Sequence, residues 1–403
     1  MSPSVRSDHS YRALPKGIWV LGFGSMFMDM SSELIHSLLP LFMATVLGAS
    51  MVTIGIIEGI AEAAAAITRV FSGAISDYVR KRKALVILGY GLAALSKPLF
   101  PLATSSWWVF GARFIDRVGK GIRGAPRDAL VADITPQGLR GAAYGLRQAL
   151  DSAGAFIGPL IALVAMTWLA SDIVSAMWLA VVPAILAVLL LFFGVREPAH
   201  ADRERHAVAR LQLTDCRRLP RRFWFVVALG ALFTLGRFSE AFLILRATDV
   251  GLPVAWAPAV MILMNGVYAL LAYPAGAAAD RFPARWLLVF GLGVLVVADA
   301  ILATAMSFQA AFLGAAFWGL HMAFTQGLLA KLVADTAPSE LRGTAFGIFN
   351  MVSGVALLLA SVIAGSLWSL AGASATVVAG ALFAVLNGLM KKAWSKRESH
   401  AGH

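Results

Sequence analysis

Between Arg113 and Asp133 the chain reads RFIDRVGKGIRGAPRDALVAD, and Arg113, Asp116, Arg117, Lys120, Arg123, Arg127 and Asp128 carry charge within it. Wound as a helix, these seven groups share an arc of about 140°. Gly, Ala, Val, Ile and Phe fill the rest. Such a helix needs lipid or protein on one side. On the other it needs a water-filled path or partner charges.

Other apolar stretches hold charges too. Asp29, Glu33 and His36 stand at i, i+4 and i+7, one helical face. Glu58, Glu62 and Arg69 share another face, Arg147 and Asp151 lie one turn apart, Arg237 is near Glu240, and His321 precedes Gln326. Each charge costs about 2.5–3.5 kcal/mol at a bilayer centre, so these groups should face a bundle interior. Two chemistries fit them. Carboxylates can carry protons, and Arg113, Arg117 and Lys120 can hold an anionic solute. A structural reading competes, in which the acidic first and second spans neutralise a basic fourth span and fix helix packing. Asp29, Glu33 and His36 also suit a divalent metal, but nearby Arg and Lys would oppose one.

The elements that position these groups follow from composition. Of 403 residues, 59% are hydrophobic and 14% charged, against about 45–50% and about 25% in soluble domains. Apolar runs of about 20 residues predict transmembrane helices. We count twelve, at 17–41, 51–76, 84–103, 106–130, 141–168, 173–195, 223–246, 254–278, 284–305, 308–331, 342–369 and 374–392. Residues 1–16 are polar, so no cleaved leader is expected. Cys216 is the only cysteine, which excludes an intrachain disulfide. Lys and Arg crowd the N-terminus, the loop after the second span, residues 196–222 and the C-terminus, leaving alternate loops nearly bare. The positive-inside rule then puts both termini in the cytoplasm of a multi-pass plasma (inner) membrane protein. The +12 formal charge is explained by these loops and anionic lipid, with no nucleic acid partner. Trp107, Trp108, Trp224 and Trp286 fall at span ends, as an interfacial belt requires.

The chain repeats itself. LVADITPQGLRGAAYGL at 130–146 matches LVADTAPSELRGTAFGI at 332–348 with ten identities in seventeen positions and a shift of 202. Asp133 and Asp335 are partners in this repeat, as are Arg140 and Arg342. GAISD at 73–77 echoes GAAAD at 276–280. Two homologous six-helix bundles follow, 1–195 and 223–403, joined by a cytoplasmic linker at 196–222, with a site between them.

These residues resemble the major facilitator superfamily over essentially the whole chain. Its signature G-x-x-x-D-R-x-G-R-R/K is matched by Gly73, Asp77, Lys81 and Arg82, while Tyr78 and Arg80 depart from it. The second copy has Gly276, Asp280, Arg281 and Arg285, with Pro283 at the second Gly position. Arg113 is similar to the family's intramembrane Arg, although Asp116-Arg117 replaces the usual Gln-Gly after it. Gly154, Gly158 and Pro159 resemble the antiporter motif without its final glycines. The resemblance implies an all-α fold of twelve transmembrane helices in two pseudo-symmetric bundles. It also implies alternating access, a cavity lined by spans 1, 4, 7 and 10, and Asp77 latching one state against a neighbouring helix N-terminus.

No H-E-x-x-H, P-loop or G-x-S-x-G motif is present, which argues against an enzyme or a built-in ATP motor and for an ion gradient. The expected protein is a monomeric secondary active transporter without cofactor or bound metal. It would move a small organic solute, bearing an anionic group, together with protons. The alternative is efflux of several lipophilic compounds by proton antiport. A metal transporter and a membrane sensor without flux are weaker readings.

Overall fold

The computed structural model describes residues 14–79, 81–195, 219–338 and 341–380. Runs of apolar residues in lipid must pair every backbone group internally, and a helix does so without help from outside the segment. The helices are α1 (Lys16–Leu41), α2 (Met51–Val79), α3 (Arg82–Ser96), α4 (Ser106–Ile134), α5 (Arg140–Trp168), α6 (Ile173–Trp178), α7 (Val181–Gly194), α8 (Arg221–Leu235), α9 (Ala241–Asp249), α10 (Pro258–Arg281), α11 (Ala284–Thr304), α12 (Phe308–Thr336) and α13 (Arg342–Ala371). A further helical stretch covers 373–380, where the last expected span begins; the rest of that span lies outside the described residues. Trp107, Trp168, Trp224 and Trp286 point outward from helix ends, where a bilayer interface suits them.

Two expected spans are broken. The sixth is α6 and α7, parted just before Pro183, which cannot donate an amide to the preceding turn. The seventh stops at Leu235 and restarts at Ala241, so Gly236, Arg237, Phe238, Ser239 and Glu240 cross the interior outside any helix. Ser239 Oγ accepts the Ala241 amide and caps the second piece at 3.3 Å.

The repeat reappears as geometry. Residues 106–134 of α4 and 308–336 of α12 correspond with the 202 shift, end to end. Their caps correspond as well: Ser105 Oγ accepts the Trp108 amide at 3.3 Å, and Ser307 Oγ accepts the Ala310 amide at 3.4 Å.

The two halves meet unequally along their length. Call the end where α1 begins the near end. At the far end one apolar core runs through both halves, joining Leu38, Phe42 and Ile54 to Phe238, Phe242 and Met261. At the near end Ile18, Val86, Leu130 and Leu191 form one core. Phe223, Val333 and Ala345 form another. A cleft therefore opens between the halves at the near end. Along one edge α2 and α13 stay together, from Met51 beside Gly365, through Gly59 beside Leu358, to Val70 beside Gly347. Along the other edge α5 meets α10 toward the far end, where Asn265 Nδ2 donates to the Ala155 carbonyl at 3.4 Å.

Candidate functional site

Packing of small residues brings the charged helices together. A Cβ on Gly121 would lie 2.6 Å from Thr68 of α2, and one on Gly119 would lie 2.7 Å from the Gly89 carbonyl of α3. The glycines of GKGIRG thus let α4 sink between α2 and α3. Gly154 and Gly158 do the same for α5 on α1. Side chains there would collide with the Met26 and Met30 carbonyl oxygens, one turn from Asp29 and Glu33.

The result is a chain of alternating charge. His36 lies 3.5 Å from Glu33 and 3.8 Å from Glu58. Arg113 donates to Glu58 Oε2 at 2.8 Å and lies 4.0 Å from Glu62. Arg117 lies 3.2 Å from Glu62 and 3.9 Å from Asp116. Lys97 Nζ donates to Asp116 at 2.6 Å and to Ser32 Oγ at 3.0 Å. Arg113 and Arg117 are each 1% exposed. They do not line a water-filled path, contrary to one expectation for the basic stripe. Charges this deep are tolerated only when paired, and Glu58 and Glu62 supply the pairing.

Nearer the cleft mouth a second network forms. Asp29 lies 3.5 Å from Arg123, which also covers the Tyr90 ring at 4.5 Å. Arg127 bonds Ser25 and lies 3.5 Å from Asp128 and 3.8 Å from Asp151. Arg147 lies 3.0 Å from Asp151 and 3.4 Å from Asp128, and Arg69 lies 3.2 Å from Asp128. So Asp29 belongs to one network, and Glu33 with His36 to the other. Among the described residues no three metal-ligating side chains converge.

Lys120 stands apart from its neighbours on α4. It is exposed and makes no ion pair with any described residue. It remains within electrostatic reach of Asp29, Glu33 and Glu62. Across the cleft, Glu240 of the broken seventh span is within reach of His36, Glu33 and Glu62, with Arg237 beside it. His321 is buried between α8 and α11; its Nδ1 lies 2.7 Å from the Gly291 carbonyl, its ring stacks on Phe233 at 6.0 Å, and Arg237 is within electrostatic reach.

Of the signature residues, Arg82 pairs with Asp133 and donates to the Ala129 carbonyl at 3.3 Å, tying the loop after α2 to the end of α4. Lys81 is exposed just before α3, Gly73 lies beside Ala125, and Arg140 opens α5. Asp335 is exposed near the end of α12. Arg80 and the side chains of Asp77, Asp280, Arg281 and Arg342 lie outside the described residues.

The family model for the major facilitator superfamily matches residues 21–267 and 242–402. The chain belongs to the major facilitator superfamily. It is 32% identical, over 96% of both chains, to an uncharacterised transporter of this superfamily from Methanocaldococcus jannaschii. It is 26% identical to the multidrug resistance protein MdtH of Yersinia enterocolitica, over 82% of this chain and 79% of that one. The crystal structure of a nucleoside transporter, NupG, superimposes with a TM-score of 0.77 at 13% identity, covering 93% of this chain and 99% of that one. In superfamily terms the fold is the expected all-helical transporter, and the networks lie on α1, α2, α4 and α5, with Lys97 just after α3.

Sequence reasoning passed over two buried groups of this transporter. Lys97 had no assigned partner, and Asp299 of α11 was not singled out. Both are single charges in apolar runs, the signal that flagged Asp29 and Glu58. Lys97 and Asp299 also stand 202 residues apart, so the repeat could have linked them.

Proposed function

We propose that this chain is a proton-coupled carrier of a small organic solute bearing an anionic group, working by alternating access between its two bundles. Lys120 carries the anionic assignment. It is the one cation of the α4 stripe without an ion-pair partner among the described residues, and it faces the cleft. Arg113 and Arg117 hold the site's shape through Glu58 and Glu62. Asp29 and Glu33 carry protons, since each has a partly exposed carboxylate beside a cation or imidazole that can respond to its charge. Arg237 and Glu240 close the site from the opposite bundle. An unwound segment there fits the superfamily's use of broken helices at substrate sites. The positive-inside pattern makes the near end cytoplasmic in a plasma membrane, so this conformation is inward-facing.

The test begins with thermal unfolding of purified protein against pools of organic anions, lipophilic cations, sugars and divalent metals. A ligand at a hundredfold excess over Kd stabilises by about 2.7 kcal/mol. Anions should stabilise the wild type and not Lys120→Gln; equal stabilisation of both would sink the anion assignment. In liposomes, Asp29→Asn with Glu33→Gln should abolish pH-driven flux of the anion found, while its binding survives.

Efflux of lipophilic compounds is the second reading, favoured by the likeness to MdtH and by Gly154, Gly158 and Pro159. It predicts that expression raises resistance to several unrelated compounds. The packing of these glycines on α1 is a role they have in either case.

A further inference from the structure

Asp299 lies in the C-terminal bundle, remote from both charge networks. It is fully buried, and neither carboxylate oxygen has a hydrogen-bond partner among the described residues. An ionised carboxylate in that position would bear the full cost of desolvation with nothing to offset it. Its surroundings specify what can. A Cβ built on Gly380 would lie 2.8 Å from Asp299 Oδ2, 3.2 Å from the Gly236 carbonyl oxygen and 3.2 Å from the Phe238 ring. The acid and the break in the seventh span thus flank one point of the last span. Gly236 follows the last residue of α8, and no described backbone amide donates to its carbonyl. Two acceptors thus flank one point, and no described group donates to either.

We propose that Asp299 is a proton-binding site, with the proton shared between its carboxyl group and the unpaired Gly236 carbonyl. A proton suits the place better than a metal cation. Sodium or calcium would want several more oxygens, as hard cations do, and the surroundings are apolar and buried: Ala298 precedes Asp299 in α11, Phe238 flanks the same point, and Trp318 packs on Phe238 at 5.0 Å between ring centroids. The indole N–H of Trp318 is the nearby polar exception, also buried without a partner. The charged and titratable groups on the adjoining elements are Arg237 and Glu240 of the break, Arg246 and Asp249 of α9, and His321 of α12. None forms an ion pair with Asp299. Arg246 is committed to Asp249 at 2.5 Å and to the Leu302 and Ala305 carbonyls at 2.9 Å, and His321 to Gly291.

The site has a mechanical consequence. The Gly236 carbonyl is free because the seventh span is broken there, and Arg237 and Glu240 of the same break face the cleft. A proton on Asp299 holds the break open from behind. Its loss sets two acceptors against each other and favours a different path for residues 236–240. This role in transport rests on the carrier reading above; the protonation itself does not.

Infrared spectroscopy of the protein in phosphatidylcholine vesicles tests it, with buffers from acid to alkaline. The wild type should show the carbonyl stretch of a protonated carboxylic acid that persists at neutral pH. The band should vanish in Asp299→Asn, whose amide can still donate to Gly236, and remain in Glu33→Gln and Glu240→Gln. An unchanged band in Asp299→Asn would overturn the proposal. So would its loss on replacing choline chloride by sodium chloride, which would put a metal cation in the proton's place. If Asp299→Asn does not fold, Asp299→Glu serves instead: the band should shift, and an unmoved band counts against the site. Failure of pH-driven flux in the wild type would overturn the carrier reading and leave this band in place.

Discussion

α4 and α12 are two copies of one helix. They share length, serine caps and a constant 202-residue offset. Yet the charges of α4 map onto Ala315, Trp318, Gly319, Met322, Thr325, Leu329 and Ala330 of α12, where no Asp, Glu, Lys or Arg occurs before Lys331. Duplication preserved the backbone frame and the packing, and the polar machinery gathered in one copy. The Lys97–Asp116 pair has become Asp299 and Trp318 at the equivalent places. The ammonium is now an acid and the acid an indole, and each lacks a partner. At these equivalent places one bundle buries a pair of opposite charges and the other an unpartnered acid beside an unpartnered indole, although elsewhere in the second bundle Arg246 is buried against Asp249.

The sharpest way to break this contrast is to strip a partner from each side. Lys97→Met removes the cation from a pair in which both side chains are at most 3% exposed. It should cost about 3–5 kcal/mol, because Asp116 is left buried and under-compensated. Chemical unfolding in detergent would measure this, and adding Asp116→Leu should recover most of the loss. Asp299→Asn breaks no ion pair and should change stability by less than about 1 kcal/mol. Similar losses for Lys97→Met and Asp299→Asn would mean that the bundles do not differ as described.

Close glycine packing should instead cost alike in the two bundles, although Gly154 and Gly319 are not partners in the repeat. Gly154→Ala forces a methyl group onto the Met26 carbonyl in one bundle, and Gly319→Ala does so onto the Met264 carbonyl in the other. Each should cost about 1–3 kcal/mol, as overpacking does. Matched melting temperatures for the two variants would sharpen the contrast by confining it to charge. The smallest effect belongs to Arg69→Ala. Its side chain is 52% exposed where it pairs with Asp128, and screening limits such pairs to about 0–1 kcal/mol. The loss should be hardly measurable beside that of Lys97→Met.

The fold was legible because span length and an exact repeat are properties of the chain itself. The ends of α1, α2, α4, α5 and α12 fall within a few residues of expectation. The break at 236–240 was read through because apolar runs flank it, Phe223–Leu235 before and Ala241–Leu245 after; Gly236 and the polar Arg237, Ser239 and Glu240 within it were read only as single residues of a span. The face of α4 that carries charge could be read from spacing. What opposes that face could not: Glu58 and Glu62 reach Arg113 and Arg117 only through the register between α2 and α4, which is set by Gly121 against Thr68. Lys97 and Asp299 were readable as costly single charges, but their partners, or want of them, depend on tertiary contacts far along the chain.

The seam between α2 and α13 leaves a constraint on movement. Met51 lies beside Gly365 and Val70 beside Gly347, so these helices adjoin from Met51 to Val70 of α2 like the spine of a book. A spine lets covers swing but not separate. Under the alternating-access reading proposed above, the two halves would turn about this edge, and the gap would widen on the side of α5 and α10.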